Sequence, residues 1–165
     1  MNEQQLRRTY TWFRAQPGRI TALRGVNAVC TYGTAAAFLG VCADLALRRD
    51  PTLWRLGLTC GVPFAALSAA RRRINAPRPY EVYGLEPLIP KKSRGESFPS
   101  RHVFSIFVIA GSLLYVRPSL GTALLALGVL LAAVRVVSGM HFLKDVLAGA
   151  MIGVISAVIG FSLIP

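Results

Sequence analysis

The sequence predicts an all-α polytopic membrane bundle, about five transmembrane helices with an amphipathic surface helix at the N-terminus. Three observations carry that expectation. Apolar residues make up 53% of the 165-residue chain and charged residues only 16%, against roughly 25% charged in soluble domains. The charges gather between long uncharged stretches, several of them close to the roughly 20 residues a helix needs to cross a bilayer. Basic residues outnumber acidic ones 19 to 7, a net charge of +12. In so apolar a chain that excess points to anionic lipid headgroups and a phosphate-bearing ligand as partners, and to no nucleic acid. A disordered chain and an ordinary soluble domain are excluded on the same grounds.

Leu6, Tyr10 and Phe13 recur at helical spacing, with Arg7, Arg8 and Arg14 elsewhere around the turn. This predicts a basic amphipathic helix lying on the membrane surface, interrupted by Pro17-Gly18. The chain then divides into a basic segment, 1–24, and a membrane domain, 25–165. No run in the first 25 residues is long enough for the apolar centre of a cleavable signal. Gly25–Ala43 offers 19 uncharged residues, about 28 Å of helix. Leu56–Ala70 contains Pro63, a kink that neighbouring membrane helices tolerate. Val103–Val116 is marginal alone but extends through His102, and Leu120–Val134 continues past Arg135 to Met140. Val146–Pro165 is uncharged and carries Gly149-x-x-x-Gly153, a face of small residues that lets another helix come close. Cys30, Cys42 and Cys60 lie in apolar stretches without metal-ligand spacing and behave as small buried hydrophobes.

The polar stretch Arg71–Arg101 is different. Its 31 residues hold eight of the 19 basic residues and five of the ten prolines. Tyr80, Val82, Tyr83, Leu85, Ile89 and Phe98 argue that it packs, so it is expected to form a structured active-site loop. Arg72, Arg73, Lys91, Lys92 and Arg94 are taken as solvated loop cations.

Both histidines of the chain, His102 and His141, fall where a polar loop meets an apolar helix. His141 is followed by Asp145, and on a helix that spacing sets carboxylate and imidazole on one face. Ionisable groups at the edge of a membrane segment are costly unless paired, which makes them functional candidates. Arg135 lies six residues before His141, with Gly139 permitting a turn between them, and Arg71 and Arg78 lie seven apart. Three arginines around two histidines and a carboxylate repel a metal ion but suit phosphate, which guanidinium groups bind bidentately.

Arg71-x-x-x-x-x-x-Arg78-Pro79, Pro99-Ser100-Arg101-His102 and Arg135-x-x-x-x-x-His141-x-x-x-Asp145 together resemble the three signature motifs of the type 2 phosphatidic acid phosphatase superfamily. That group contains lipid phosphate phosphatases and the related vanadium haloperoxidases. The resemblance implies that His141 is the nucleophile, Asp145 its orienting partner and His102 the general acid. It also implies that Arg71, Arg78, Ser100 and Arg135 hold the phosphoryl oxygens and that neither metal nor cofactor is needed; Arg101, a departure from the family pattern, is expected to join them as a further phosphate-binding cation. Three positions depart from the family pattern. Arg71 stands where the motif usually has Lys, Arg101 where it has Gly, and Val134 where a Ser precedes the arginine.

The expected activity is metal-independent hydrolysis of a lipid-linked phosphate monoester or diphosphate through a phosphohistidine. Two other classes stay open at the level of sequence. One is a non-catalytic phospholipid-binding membrane protein; the other is a metal-dependent membrane hydrolase using His102, His141 and Asp145 as ligands. With five spans, 15 basic residues fall on the side of the loop and 4 on the opposite side. The positive-inside tendency then favours the cytoplasmic face of a prokaryotic plasma membrane for the site.

Overall fold

The computed structural model describes residues 1–91 and 94–164. The expectations for Lys92 and for the Pro165 end of the last apolar stretch fall outside the described residues. Helices follow one another as α1 (Glu3–Arg14), α2 (Pro17–Leu47), α3 (Thr52–Ile74), α4 (Pro79–Val82), α5 (Arg101–Val116), α6 (Pro118–Val137) and α7 (Leu143–Leu163). Among the described residues, four segments are long and apolar enough to cross a membrane: Pro17–Leu47, Thr52–Val82, Pro118–Val137 and Leu143–Leu163. The fifth expected span is α5, whose 16 residues reach only about 24 Å.

Position makes up for that shortness. α5 packs against α7, α6, α3 and α2, so a helix too short to meet both membrane faces is enclosed by longer ones. Gly149 and Gly153 make its contact with α7 possible. A Cβ at Gly149 would lie 2.6 Å from the Ser100 carbonyl oxygen, and one at Gly153 2.8 Å from that of Phe104. Only glycine lets the two backbones come this close. Val41, Leu56, Leu67, Phe104, Leu113, Leu124 and Phe161 fill the space between the helices. Val29, Leu39, Trp54, Val62, Val129, Leu147, Met151 and Ile155 stay exposed, an apolar belt suited to hydrocarbon as the solvent.

Three boundaries differ from the expected ones. The break at Pro17-Gly18 shrinks to Ala15-Gln16, because Pro17 begins α2, where its fixed φ favours helix and its missing N–H costs nothing. α2 therefore runs 31 residues, through the expected division at residue 24. Its added turns meet protein, with Arg24 Nε donating to the Leu88 carbonyl at 2.8 Å. At the other end of the chain, α6 stops at Val137, short of Met140. Gly139 takes φ +69°, a left-handed conformation that ends the helix and turns the chain toward His141.

α1 is amphipathic and lies at the surface, but its apolar face is turned inward. Leu6 and Tyr10 are buried with Leu23, Leu88 and Val134, and Phe13, Tyr83, Leu85 and Ile89 pack around them. The Tyr10 hydroxyl donates to the Ser138 carbonyl at 2.9 Å. Arg7 and Arg14 donate to the carbonyls of Tyr83 and Glu86. The polar loop between α3 and α5 is thus held from outside by α1, which explains why so many of its apolar residues are needed.

Candidate active site

His141 sits in the turn between α6 and α7 and is 2% exposed. Its backbone is fixed first: its N–H donates to the Arg135 carbonyl at 3.1 Å, as does that of Met140. The nucleophile candidate is therefore tied directly to the arginine that ends α6. The His141–Asp145 pairing does not arise from one helix face as the spacing suggests, because α7 starts only at Leu143. Asp145 folds back toward the turn, where its Oδ2 accepts the Phe142 N–H at 3.0 Å. That oxygen lies 3.7 Å from His141 Nδ1.

Ser97 fills the gap between them. Its hydroxyl donates to Asp145 Oδ2 at 2.6 Å and stands 3.4 Å from His141 Nδ1. The imidazole thus faces a carboxylate–hydroxyl pair on its Nδ1 side and the Arg78 guanidinium, 3.4 Å away, on its Nε2 side. A proton on Nδ1 suits the first face and a lone pair on Nε2 suits the second. Burial, joined by the charges of Arg78 and Arg135 and opposed by Asp145, pushes the His141 pKa down to about 4. At neutral pH this is a neutral imidazole with one unprotonated nitrogen.

The arginines divide into pinned and free. Arg78, 2% exposed, donates to the carbonyls of Gly95 and Met140, both at 2.9 Å, and of Glu96 at 3.2 Å. Arg71 donates to the carbonyls of Pro99 and Glu96, leaving its Nε without a partner. Arg135 is 4% exposed and its Nε has no partner among the described residues. The Ser100 hydroxyl, fully buried at the N-cap of α5, is also unpartnered. Its backbone is anchored, with its N–H donating to the Asp145 carbonyl at 2.9 Å. Buried donors without acceptors are costly. A phosphate oxygen is the acceptor they fit.

His102, in the first turn of α5, is partly buried. The cations acting on it are Arg135, Arg101 and Lys91. It also lines an apolar cavity of about 710 Å³ between α2, α3 and α5. Arg101 differs from the buried arginines: it is exposed and lies over the Phe64 ring.

Two residues, Ser97 and Glu81, were not singled out from the sequence, and a third, Lys91, was read differently. Ser97 offers no signal beyond standing two positions before Pro99. Glu81 could have been found as the acidic residue two after Arg78-Pro79, a helix-start pattern. Its carboxylate accepts the N–H groups of Arg78 and Gly95, each at 2.9 Å, and so ties the two ends of the loop together. Lys91 corrects the reading as a solvated cation. It is half-buried, and burial with the charges of Arg78 and Arg71 brings its pKa down to about 8.

The family model described as the PAP2 superfamily matches residues 52–165, which span every one of these side chains. The chain belongs to the PAP2 superfamily. Among solved structures, this PAP2 chain is similar to Aquifex aeolicus LpxE, with a TM-score of 0.71 and 23% identity over 89% of this chain and 87% of that one. It is also similar to the first transmembrane PAP2 type phosphatidylglycerolphosphate phosphatase from Bacillus subtilis. There the TM-score is 0.75 and the identity 21%, over 97% of this chain and 82% of that one. At these identities the likeness is one of fold, and it makes this PAP2 protein an integral membrane helical bundle. No curated protein matches the chain.

Proposed function

We propose that this chain hydrolyses a phosphate monoester or diphosphate of a membrane lipid, without a metal ion, through a phosphohistidine at His141. One observation carries the reading. The Arg135 guanidinium is buried with no partner for its Nε, close to a neutral His141 whose unprotonated Nε2 faces Arg78, a group that binds phosphate. Membership of the superfamily and the fold shared with LpxE and the phosphatidylglycerolphosphate phosphatase support it.

The reaction follows from the placement of the groups. Arg135, Arg71, Arg78 and Ser100 hold the phosphoryl oxygens, each charge-assisted hydrogen bond contributing about 1.5–3 kcal/mol. His141 Nε2 attacks phosphorus as the bond to the lipid oxygen breaks, while Ser97 and Asp145 keep the Nδ1 proton in place. His102, protonated as the anionic phosphate binds, gives that proton to the departing oxygen. Water then attacks the phosphohistidine, giving its proton to His102, and inorganic phosphate leaves with His141 restored. Positioning and charge supply most of the catalysis in phosphoryl transfer. The apolar cavity beside His102 suits the hydrocarbon part of the substrate.

Phosphate release from purified phosphatidic acid, phosphatidylglycerol phosphate and polyprenyl diphosphate in mixed micelles tests the proposal. Release from at least one should survive excess EDTA, be blocked by vanadate as a mimic of pentacoordinate phosphorus, and vanish in His141→Ala. Activity lost on chelation and restored by a divalent metal would overturn it, as would undiminished release by His141→Ala.

A further inference from the structure

Glu81 makes more bonds than a helix start requires. Three residues after Arg78, its Oε2 accepts the Arg78 N–H at 2.9 Å, the reach-back bond of an ordinary capping box. Both of its oxygens also accept the Gly95 N–H, at 2.9 and 3.1 Å, and Oε1 accepts the Tyr80 hydroxyl at 3.1 Å. Gly95 is buried and lies 14 residues further along the chain. A cap for α4 has no use for it.

The carbonyls of this segment show what the bond serves. Gly95 and Glu96 both have left-handed backbones, with φ +68° and +52°, a conformation a glutamate keeps only where its surroundings hold it. Side chains hold the two N–H groups, Glu81 that of Gly95 and the Asn75 amide oxygen that of Glu96, at 3.3 Å. The two carbonyls in turn hold arginines. That of Gly95 accepts Arg78 Nε at 2.9 Å, and that of Glu96 accepts one N–H from Arg78, at 3.2 Å, and one from Arg71. Arg78 is thereby closed into a circuit, its backbone N–H and its Nε both meeting the Glu81–Gly95 pair. The guanidinium fixed in this way stands 3.4 Å from His141 Nε2.

We propose that Glu81 is a positioning residue for phosphoryl transfer, acting through the Gly95 and Glu96 carbonyls to set the Arg78 and Arg71 guanidiniums against the reacting phosphate. The proposal rests on the phosphatase reading above. Its chemistry needs a carboxylate. Two backbone donors converge on Glu81 from different parts of the chain, and a carboxamide has one oxygen for them and turns an NH₂ toward the other. A capping box takes Gln as readily as Glu, so Glu81→Gln keeps the helix start and gives up the Gly95 bond.

The test follows phosphate release from the lipid on which the wild type is most active, and vanadate binding by calorimetry. Misplacing groups that hold the transition state by about 1 Å costs on the order of 10²-fold in rate. Glu81→Gln should lose about that factor in kcat with KM changed less than about threefold, and should bind vanadate about tenfold more weakly or worse. A residue that only held the fold together would lower the fraction of active molecules and leave the vanadate constant of the rest unchanged. In an Arg78→Lys background the same change should cost less than about threefold, because its main target is gone. Asn75→Gly removes the other anchor, keeps the left-handed backbone of residue 75, and should show the same pattern at about threefold to tenfold. It carries the test if Glu81→Gln does not fold. An unchanged vanadate constant in the variants, or losses fully additive with Arg78→Lys, would overturn the positioning role. A wild type that binds vanadate but releases no phosphate would overturn the phosphatase reading alone. One that does neither would overturn both.

Discussion

In the proposed reaction His141 and His102 share one phosphoryl transfer, but they sit in different surroundings, and each prediction at this scale follows from that difference. His141 is enclosed, with Ser97 and Asp145 on one side of the ring and Arg78 on the other. His102 opens onto the cavity. General acid catalysis is typically worth about 10²–10⁴-fold, and it matters for a lipid alkoxide far more than for nitrophenolate, a stable anion. His102→Ala should therefore be crippled on a lipid phosphate and relatively spared in the first step with p-nitrophenyl phosphate, read by rapid-quench release of nitrophenolate. Equal losses on both would make His102 a binding residue. In His102→Asn, His141 is the remaining histidine, and its imidazole should titrate by NMR near pH 4. A midpoint at the ordinary 6.5 would show that burial and the neighbouring arginines do not shift this imidazole. The sign for folding follows from the same shift. The unfolded chain binds the proton more readily, so the stability linked to His141 is whole above pH 6.5 and declines as pH falls toward 4.

Helices act here by bringing backbones together. The contact of α7 with the first turns of α5 joins Asp145, whose carbonyl accepts the Ser100 N–H, to the segment that carries His102. Gly149→Val puts side-chain atoms where a Cβ already lies 2.6 Å from a backbone oxygen. Overpacking of this kind costs about 1–3 kcal/mol, and a displacement of about 1 Å at the site costs on the order of 10²-fold in rate. Gly149→Val should thus lower both the unfolding temperature in detergent and kcat. Gly40→Ala, where a Cβ meets nothing within 4 Å, should change neither. Retention of full activity by Gly149→Val would show that the α5–α7 spacing is not what aligns the groups. α1 works in the same way at longer range. Tyr10 bonds the Ser138 carbonyl just before the Gly139 turn, so a surface helix steadies the turn that presents His141.

At the scale of the whole molecule, charge is distributed by side. α1, the loop between α3 and α5, and the turn carrying His141 lie together, as the bonds from Arg7, Arg14 and Tyr10 require. Counted by topology with the adjoining helix ends, that side of the sequence carries 15 of the 19 basic residues and the other side 4, and we propose on that basis that the site faces the cytoplasm. A cysteine placed at Lys91 should resist an impermeant thiol reagent in intact cells and react after permeabilisation. Labelling in intact cells would reverse the orientation. Either orientation leaves the chemistry intact, since the site is built from one end of a bundle and the cavity leads from it into the membrane region.

The membrane helical class was legible in the sequence because hydrocarbon forces every spanning backbone to satisfy itself, and uncharged stretches of sufficient length record that demand directly. The residue types of the site were legible too. Histidine, carboxylate and arginine at loop–helix boundaries are expensive unless used, and three motifs in order carry the resemblance that the family match then bore out. What each arginine does was not. Arg71 and Arg78 are held by carbonyls of residues 95, 96 and 99, while Arg135 keeps its Nε unpartnered and Arg101 turns to Phe64. Nor could the spacing reveal that His141 precedes its helix, that Ser97 stands between it and Asp145, or that α1 turns its apolar face to the protein. These outcomes depend on partners tens of residues away along the chain. A sequence lists which groups can bond, and only the folded chain decides which of them have already found a partner and which remain for the substrate.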